Sequence, residues 1–362
     1  MNFKYFQNLR VVELSSVLAG PAVGMFFAEL GAQVIKIENA RTGGDVTRSW
    51  KLPSESPDAL FSAYYSAVNW GKEIHLVDLS EPSEQARIHR LIASAHLVIS
   101  NFPSATATKL GMDFDTLKGI HPQLLMAQIT GFGNQSNRVA FDLVLQAEAG
   151  FLYMNGNPNS PPVKMPVALI DLLAAHHLKE GILAALLERS LHQENPPQPT
   201  LVTVSLLDAA IASLANQATN WLMGAHIPQP MGTLHPNIAP YGEILETADG
   251  KQMILAVGSD AQFAKLCHIL GIAEVATDPL LATNKQRVIN RSQLLVRLQA
   301  AAIHYTADKL HTEFVNHGIP AGRIRTMPEV FEMPEAQALI LHQTLPDGTS
   351  AQMVKTAVFE VS

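Results

Sequence analysis

An α/β protein with a largely parallel sheet, joined to a smaller α+β domain, is the fold class this sequence predicts. Three observations carry it. Apolar strand-like runs alternate with helical patterns as far as residue 205, the order that builds a parallel sheet with crossover helices. The texture changes near Gly224, after which two strand runs flank an Asp249-Gly250 turn. A chain of 362 residues also exceeds one small core, so two domains are expected. The boundaries read as residues 1–225 for the large domain, with 326–362 returning to it, and 226–325 for the small one.

In order, Arg10–Leu14 reads as a buried strand, Pro21–Leu30 as a helix with proline in its first turn, and Gln33–Glu38 as a second strand. Glu38 ends that βαβ unit where a dinucleotide fold keeps its ribose acid. However, Ala19–Gly24 is not GxGxxG, and Pro21 removes an amide that a pyrophosphate would want, so a dehydrogenase is disfavoured. Further strands are Ile74–Leu79, Leu97–Ser100 and Leu124–Thr130. A Pro- and Asn-rich loop, His192–Pro199, leads into a strand at Leu201–Val204 and a helix over Ser205–Met223. In the small domain, Tyr241–Glu246 and Gln252–Val257 form an antiparallel hairpin, followed by helices around Ala261–Leu270 and Arg291–Ala302.

The stretch Ile129–Arg189 organises the rest. The strand before it empties into Gly131-Phe132-Gly133; Asp142 and Gln146 follow, then a loop at Gly156–Pro162. Next comes Val167-Ala168-Leu169-Ile170-Asp171, leading a helix with Leu178, Ile182, Leu183, Leu186 and Leu187 at helical spacing. Two readings of Asp171 are open. It is an N-cap for the first turn, or it is a carboxylate nucleophile held ionised and aimed by the helix N-terminus.

Composition narrows the function classes. Only 16% of residues are charged, well under the roughly 25% usual in soluble proteins, which points to an extensive buried interface and hence an oligomer. A net charge of −7 excludes general nucleic-acid binding, so any anionic ligand must be met by local cations. The single cysteine, Cys267, rules out a disulfide framework and fits a reducing compartment. With no signal-peptide layout and no run of 18 apolar residues, a cytoplasmic protein without membrane contact is expected. No HExxH or CxxC spacing calls for a metal.

Several strand ends carry polar sets: Ser15–Pro21, Gly43–Trp50, Asn69–Lys72, and Asn101-Phe102 with Lys109 beyond. Each alone reads as turn chemistry or solvated charge. Together they suit an extended, phosphate-bearing ligand at the carboxyl edge of the sheet.

In these residues the chain resembles the class III CoA-transferases, the superfamily of formyl-CoA transferase, carnitine CoA-transferase and α-methylacyl-CoA racemase. The match runs through Leu18–Pro21, Leu30–Glu38, Gly44–Arg48, Gly71-Lys72 with Asp78-Leu79, Asn101-Phe102 with Leu110-Gly111, and Thr130–Gly133. It continues at Asp142, Gln146-Ala147, Gly150, Asp171, Ala239–Tyr241, Asp249-Gly250 and Gly318–Gly322. The resemblance implies a Rossmann-like large domain, a small α+β domain and two chains interlocked as a homodimer. It implies that Asp171 is the nucleophile and that acyl-CoA and a small carboxylic acid are the substrates. It carries Ser16, Val17, Leu18, Lys72, Asn101, Phe102, Lys109, Thr130, Gly131 and Phe132 onto the CoA path.

Departures matter too. A nucleotide-binding arginine of the family is here Asn39, with Arg41 two residues on as its substitute, and the arginine before Gly71-Lys72 is Trp70. With fewer cations, weaker CoA binding is expected. The glycine run of the closing loop is absent from Met231–Pro236, and Thr-Gly-x-Gly-Gln is replaced by Glu194–Pro199, read as a surface-loop change. Racemisation needs two acid/base groups, and the resemblance implies that the second, a His, would precede Asp142; that position is Phe141, which carries no proton. A transferase needs only a nucleophile, bound CoA and oxyanion donors, for which peptide N–H groups at Gly131 and Gly133 are the candidates. Gln146 either orients Asp171 or the acyl carbonyl, or is a satisfied core amide. CoA-transferase is thus the leading reading, with an acyl-CoA racemase or a non-catalytic CoA-binding relative as alternatives. The neutral residues Tyr153, Met154, Asn155 and His235 are weak candidates around the acid and lean against a highly charged dicarboxylate.

Overall fold

The computed structural model describes residues 5–136, 138–192 and 196–361, so residues 194 and 195 of the altered loop lie outside the described ones. By internal contacts the chain forms two compact units.

The larger unit comprises 1–152, 164–228 and 338–362. Its sheet has six parallel strands: β1 (Arg10–Leu14), β2 (Gln33–Asn39), β3 (Glu73–Val77), β4 (Leu97–Ser100), β5 (Leu125–Thr130) and β6 (Thr200–Ser205). Their order is β3-β2-β1-β4-β5-β6, the doubly wound arrangement in which direction reverses between β1 and β4. Helices α1 (Ala19–Glu29), α2 (Pro82–Ala93), α3 (Ser104–Lys109), α4 (Asp142–Glu148), α5 (Leu169–His192) and α6 (Leu206–Ala212) connect or follow the strands. On one face Val11, Val34, Leu97 and Leu125 pack with residues of α1 and α5; on the other Val12, Leu14, Ile37 and Val98 pack with Ile88 and Ile92 of α2. The expected helix over Ser205–Met223 is two helices, α6 and Ala215–Gly224, broken where Ala215 takes a φ of +47°.

The face shared by Val11 and Val34 turns ionic toward the strands' carboxyl ends. Alternation puts Glu13 beyond Val11, and Lys36 then Glu38 beyond Val34, with Glu13 and Lys36 in register. Gly24 of α1 crosses above Glu13; a Cβ there would lie 1.8 Å from Glu13 Oε2. The helix approaches this closely only because position 24 has no side chain.

The smaller unit comprises 153–163 and 229–337. Strands β7 (Tyr241–Glu246) and β8 (Gln252–Ala256) form the expected hairpin, and β9 (Ala321–Arg323) pairs antiparallel with β8. Helices bury Phe263, Leu266, Cys267, Leu294, Leu298 and Phe314 against them. Residues 326–337 belong here, not with the large domain where the sequence reading puts them. Just before them Ile324 N–H donates to Gln252 O at 2.9 Å, and within them Glu329 pairs with Lys251 at 3.5 Å. Residues 153–163 also count here, with Gly232 N–H donating to Gly156 O at 2.8 Å. Residues 338–362 return to the larger unit. Trp70 Nε1–H donates to His342 O at 3.2 Å, and Glu29 accepts from the Thr356 and Ala357 amides.

Gly24→Ala is expected to destabilise the fold by about 1–3 kcal/mol, since Glu13 is fully buried and pinned and has nowhere to move. Urea denaturation checks this, and an unchanged midpoint would contradict the packing described.

Candidate active site

The site starts where the sheet reverses direction. At that crevice Asn101, just past β4, clasps the chain leaving β1: its Oδ1 accepts from Ser16 N–H at 3.1 Å and its Nδ2 donates to Ser16 O at 2.8 Å. The next residue, Val17, has a φ of +70°, a left-handed conformation that β-branched side chains rarely adopt. Its N–H donates to the Asp45 carboxylate, 3.1 Å from Oδ2 and 3.3 Å from Oδ1. Asp45 also accepts from Thr47 N–H at 3.0 Å, Thr47 Oγ1 at 2.8 Å and Lys36 Nζ at 2.8 Å. Burial works to raise its carboxyl pKa, but Lys36 and these bonds outweigh that and hold it below the ordinary value.

Behind Asp45 lies a buried ionic cluster. Lys36 has no exposed side-chain surface and sits 3.7 Å from Glu13 and 3.9 Å from Glu38. Glu38 in turn takes Arg48 Nε at 2.7 Å, Asp45 N–H at 2.9 Å and the Tyr65 hydroxyl at 2.7 Å. Lys72 pairs with Glu13 at 2.8 Å and donates to Pro21 O and Asn69 Oδ1. The expectation that Lys72 lines the CoA path is therefore corrected. Its ammonium is enclosed by Glu13, Pro21 and Asn69, and burial, only partly offset by Glu13, brings its pKa down to about 8.

Outside the cluster a cavity of about 870 Å³ opens along the strand ends. Ser16, Arg41, Phe102 and Lys109 line it, as does Asp45; Ile37, Val77, Leu79 and Leu110 supply apolar wall. Arg48 and Lys51 also reach it, but Arg48 is held by Glu38, and Lys51 Nζ donates to the Pro57 and Ala59 carbonyls at 2.6 Å. Arg41 is held loosely, 4.0 Å from Asp78, with most of its side chain exposed. Asn39 places a cation: its Oδ1 accepts from Arg41 N–H at 3.0 Å, in the turn that carries Arg41 to the rim.

Asp171 is the third residue of α5, within its first turn, and so not its N-cap. The capping is done from outside. Asp142 Oδ1 accepts from Ile170 N–H at 2.7 Å, while its Oδ2 takes Gln146 Nε2 at 2.6 Å. Gln146 Oε1 accepts from Met165 N–H at 3.0 Å. The Gln146 amide is thereby committed at both ends, which is the satisfied-amide reading of the two open for it and not the one in which it orients Asp171. It steadies Asp142 instead.

Asp171 is nearly buried, and no hydrogen bond to its carboxylate is found among the described residues. Burial first, then the charge of Asp142, pushes its carboxyl up to about 7. The α5 N-terminus acts the other way, favouring the ionised form. Tyr64, which sequence reading missed, is the group that shares this neighbourhood. Burial and then the charges of Asp171, Asp142 and Asp45 raise its hydroxyl pKa, and its ring meets Trp50 edge-on at 5.0 Å. The signal available was slight: a Ser62-capped single turn, Ala63–Ser66, with adjacent tyrosines that diverge by the helical angle. Tyr65 goes to Glu38 and Tyr64 toward the acids.

Thr130, Gly131 and Phe132 leave β5 beyond the cavity lining. A Cβ at Gly131 would lie 2.2 Å from Ala140 Cβ, so glycine lets this turn pack against the segment entering α4. Phe132 packs on the core under the Arg138 guanidinium, and Gly133 takes a φ of +88° with open space around it. Leu18 leads into α1, partly buried against the core. Phe141 precedes α4, half exposed, and His177 pairs with Glu180 at 3.2 Å on a later turn of α5. Among the described residues no group of three or more metal-binding side chains occurs, and no helix is long and apolar enough to cross a membrane.

The chain matches the family described as CoA-transferase family III over residues 6–362. It is 38% identical to a succinate–glutarate CoA-transferase of Agrobacterium fabrum, covering 97% of this chain and 88% of that protein. It is 30% identical to the succinyl-CoA:glutarate CoA-transferase of Homo sapiens, over 95% of this chain and 76% of that one. The crystal structure of a CAIB/BAIF family protein from Brucella suis is similar with a TM-score of 0.84 at 36% identity, covering 97% of this chain and 91% of the other. The chain belongs to CoA-transferase family III.

A raised Asp171 pKa has a consequence for stability. The folded state binds a proton that the unfolded chain releases near 3.8, so ionising Asp171 opposes folding as pH rises from about 4 to about 7. Asp171→Asn removes that opposition. It is expected to stabilise the protein by on the order of 2 kcal/mol at pH 8 and by little at pH 4, read from denaturation midpoints at both values.

Proposed function

We propose that this protein transfers CoA from an acyl-CoA donor to a small carboxylic acid, with Asp171 as the nucleophile. The observation that carries the reading is a nearly buried carboxylate at the start of α5, near no cation that lowers its pKa, which burial and Asp142 push up to about 7. A carboxylate stripped of water and of hydrogen-bond donors is a stronger nucleophile than a solvated one.

The reaction balances without an outside proton donor or a metal. Ionised Asp171 attacks the donor's thioester carbonyl; the C–S bond breaks, CoA leaves as thiolate, and an acyl–aspartyl anhydride forms. The thiolate attacks the aspartyl carbonyl, releasing the donor acid and leaving Asp171 as a CoA thioester. The acceptor carboxylate attacks that thioester, forming a second anhydride and freeing the thiolate again. The thiolate then attacks the acceptor's carbonyl, giving the new acyl-CoA and restoring Asp171. Peptide N–H groups around Gly131 and Gly133 are proposed to meet the transient oxyanions. Ser16, Val17, Leu18 and Asn101 would hold the pantetheine-side path, Phe102 the base, and Arg41 and Lys109 the phosphates.

The relatives' names bring succinate and glutarate to this chain as proposed substrates, and we favour a dicarboxylic acid acceptor over the less charged acid that the sequence suggests. An interlocked homodimer in the cytoplasm fits the low charge content of the chain. Racemisation is not favoured, since Phe141 offers no second acid or base.

Incubation with succinyl-CoA followed by a hydroxylamine quench should leave a hydroxamate on the peptide containing Asp171, absent from Asp171→Ala. Demonstrable CoA binding with no adduct from any acyl-CoA donor would sink the nucleophile assignment. Because only the ionised carboxylate attacks, kcat/KM should fall about tenfold per unit as pH drops below about 7. A profile flat down to pH 5 would contradict a nucleophile with this pKa.

A further inference from the structure

We infer that Asp45 is a positioning residue, holding Val17 in its left-handed conformation so that the turn between Ser16 and Leu18 is already shaped to receive the ligand. The inference rests on the reading of that turn as part of the CoA path.

Val17 is one of only a few non-glycine residues with a positive φ among the described ones, and it is the β-branched one. That conformation is strained, and strain of this kind persists only when the surroundings impose it. Two contacts do so here. Asn101 fixes the peptide on the Ser16 side through both its amide groups, and Asp45 takes the Val17 N–H with both carboxylate oxygens. Asp45 is itself immobile: Lys36 and two donors from Thr47 hold it, and it is nearly buried. Its neighbour Gly44, at φ +110°, has room for no Cβ, which would come 2.5 Å from Glu38 Oε2 and 2.6 Å from Arg48 Nε. The Gly44-Asp45 corner is thus set by the ionic cluster, and through Asp45 the cluster sets Val17.

An asparagine at 45 has one acceptor oxygen where the carboxylate has two, and no charge to match Lys36. Lys36 would keep Glu13 and Glu38 near it. The Val17 turn would then relax toward negative φ. If the shaped turn falls to about a tenth of the population, apparent CoA affinity weakens about tenfold.

Glycine at 17 adopts a positive φ without strain, so it should make the turn independent of Asp45. The experiment is CoA binding by calorimetry on wild type, Asp45→Asn, Val17→Gly and the double variant of the full chain. The expected result is a loss of about tenfold from Asp45→Asn with Val17 present and of less than about threefold with glycine there. In steady-state assays the loss should sit in KM for the acyl-CoA donor, with kcat little changed. Equal losses in both backgrounds would assign Asp45 only to the ionic cluster and overturn its positioning role. A wild type that binds no CoA would overturn the functional reading and this role together. Should Asp45→Asn fail to fold, recovery of soluble protein by Val17→Gly supports the inference, and an equally unfolded double variant overturns it.

Discussion

Burying Lys36 is the constraint on which the ligand edge of this protein depends. An ammonium with no exposed surface must be neutralised where it stands, and Glu13, Glu38 and Asp45 are all drawn to it. Each acid then carries the constraint outward. Glu13 needs Lys72 as well, and their pairing fixes how closely α1 can lie on the sheet at Gly24. Glu38 recruits Arg48 and Tyr65, closing the loop that follows β2 over the strand ends. Asp45 reaches the turn after β1. The cluster balances Lys36, Lys72 and Arg48 against three carboxylates, so it adds little net field to the cavity beside it. What it supplies is shape.

Two kinds of positive charge therefore serve different purposes here. Lys36, Lys72 and Arg48 are spent on internal carboxylates and build the edge of the site. Arg41 and Lys109 stand at the cavity rim with loose or solvent-facing side chains, available to an anion. In a chain with net charge −7, the separation would let the polyanionic ligand proposed for this cavity be attracted without dismantling the scaffold.

Much of this was legible in the sequence because it is periodic or local. The strands and the hairpin follow from apolar runs and turn chemistry, and residues of several strand-end polar sets line the cavity. What was not legible depends on tertiary partners. Lys72 looks like any lysine after a turn; only the register that brings Glu13 beneath it shows that its charge is used. Gln146 could face Asp171 or the core, and the choice is made by Asp142, one helical turn before it, together with the Met165 amide beyond the helix. The start of α5 at Leu169 has no local signal, because the Ile170 amide is taken by Asp142 on another helix, not by the chain just before it. Tyr64 was invisible, since its role lies wholly in the company it keeps.

The treatment of Asp171 ties these observations together. A carboxylate at a helix start would ordinarily take the free amides of the first turn and become a good cap and a poor nucleophile. Here Asp142 takes the Ile170 amide, and Gln146 holds Asp142 in place. Asp171, relieved of capping, is left with burial and a neighbouring negative charge, both of which raise its pKa. At about 7 the group still ionises near neutrality, and helix polarity favours that ionised form. An acid so placed weakens the fold at the pH where it is ionised, and the surrounding core and ionic cluster are what make that tolerable. The division of labour between two aspartates, one capping and one unpaired, is thus the local device that leaves a carboxylate at a helix terminus free for the chemistry proposed for it.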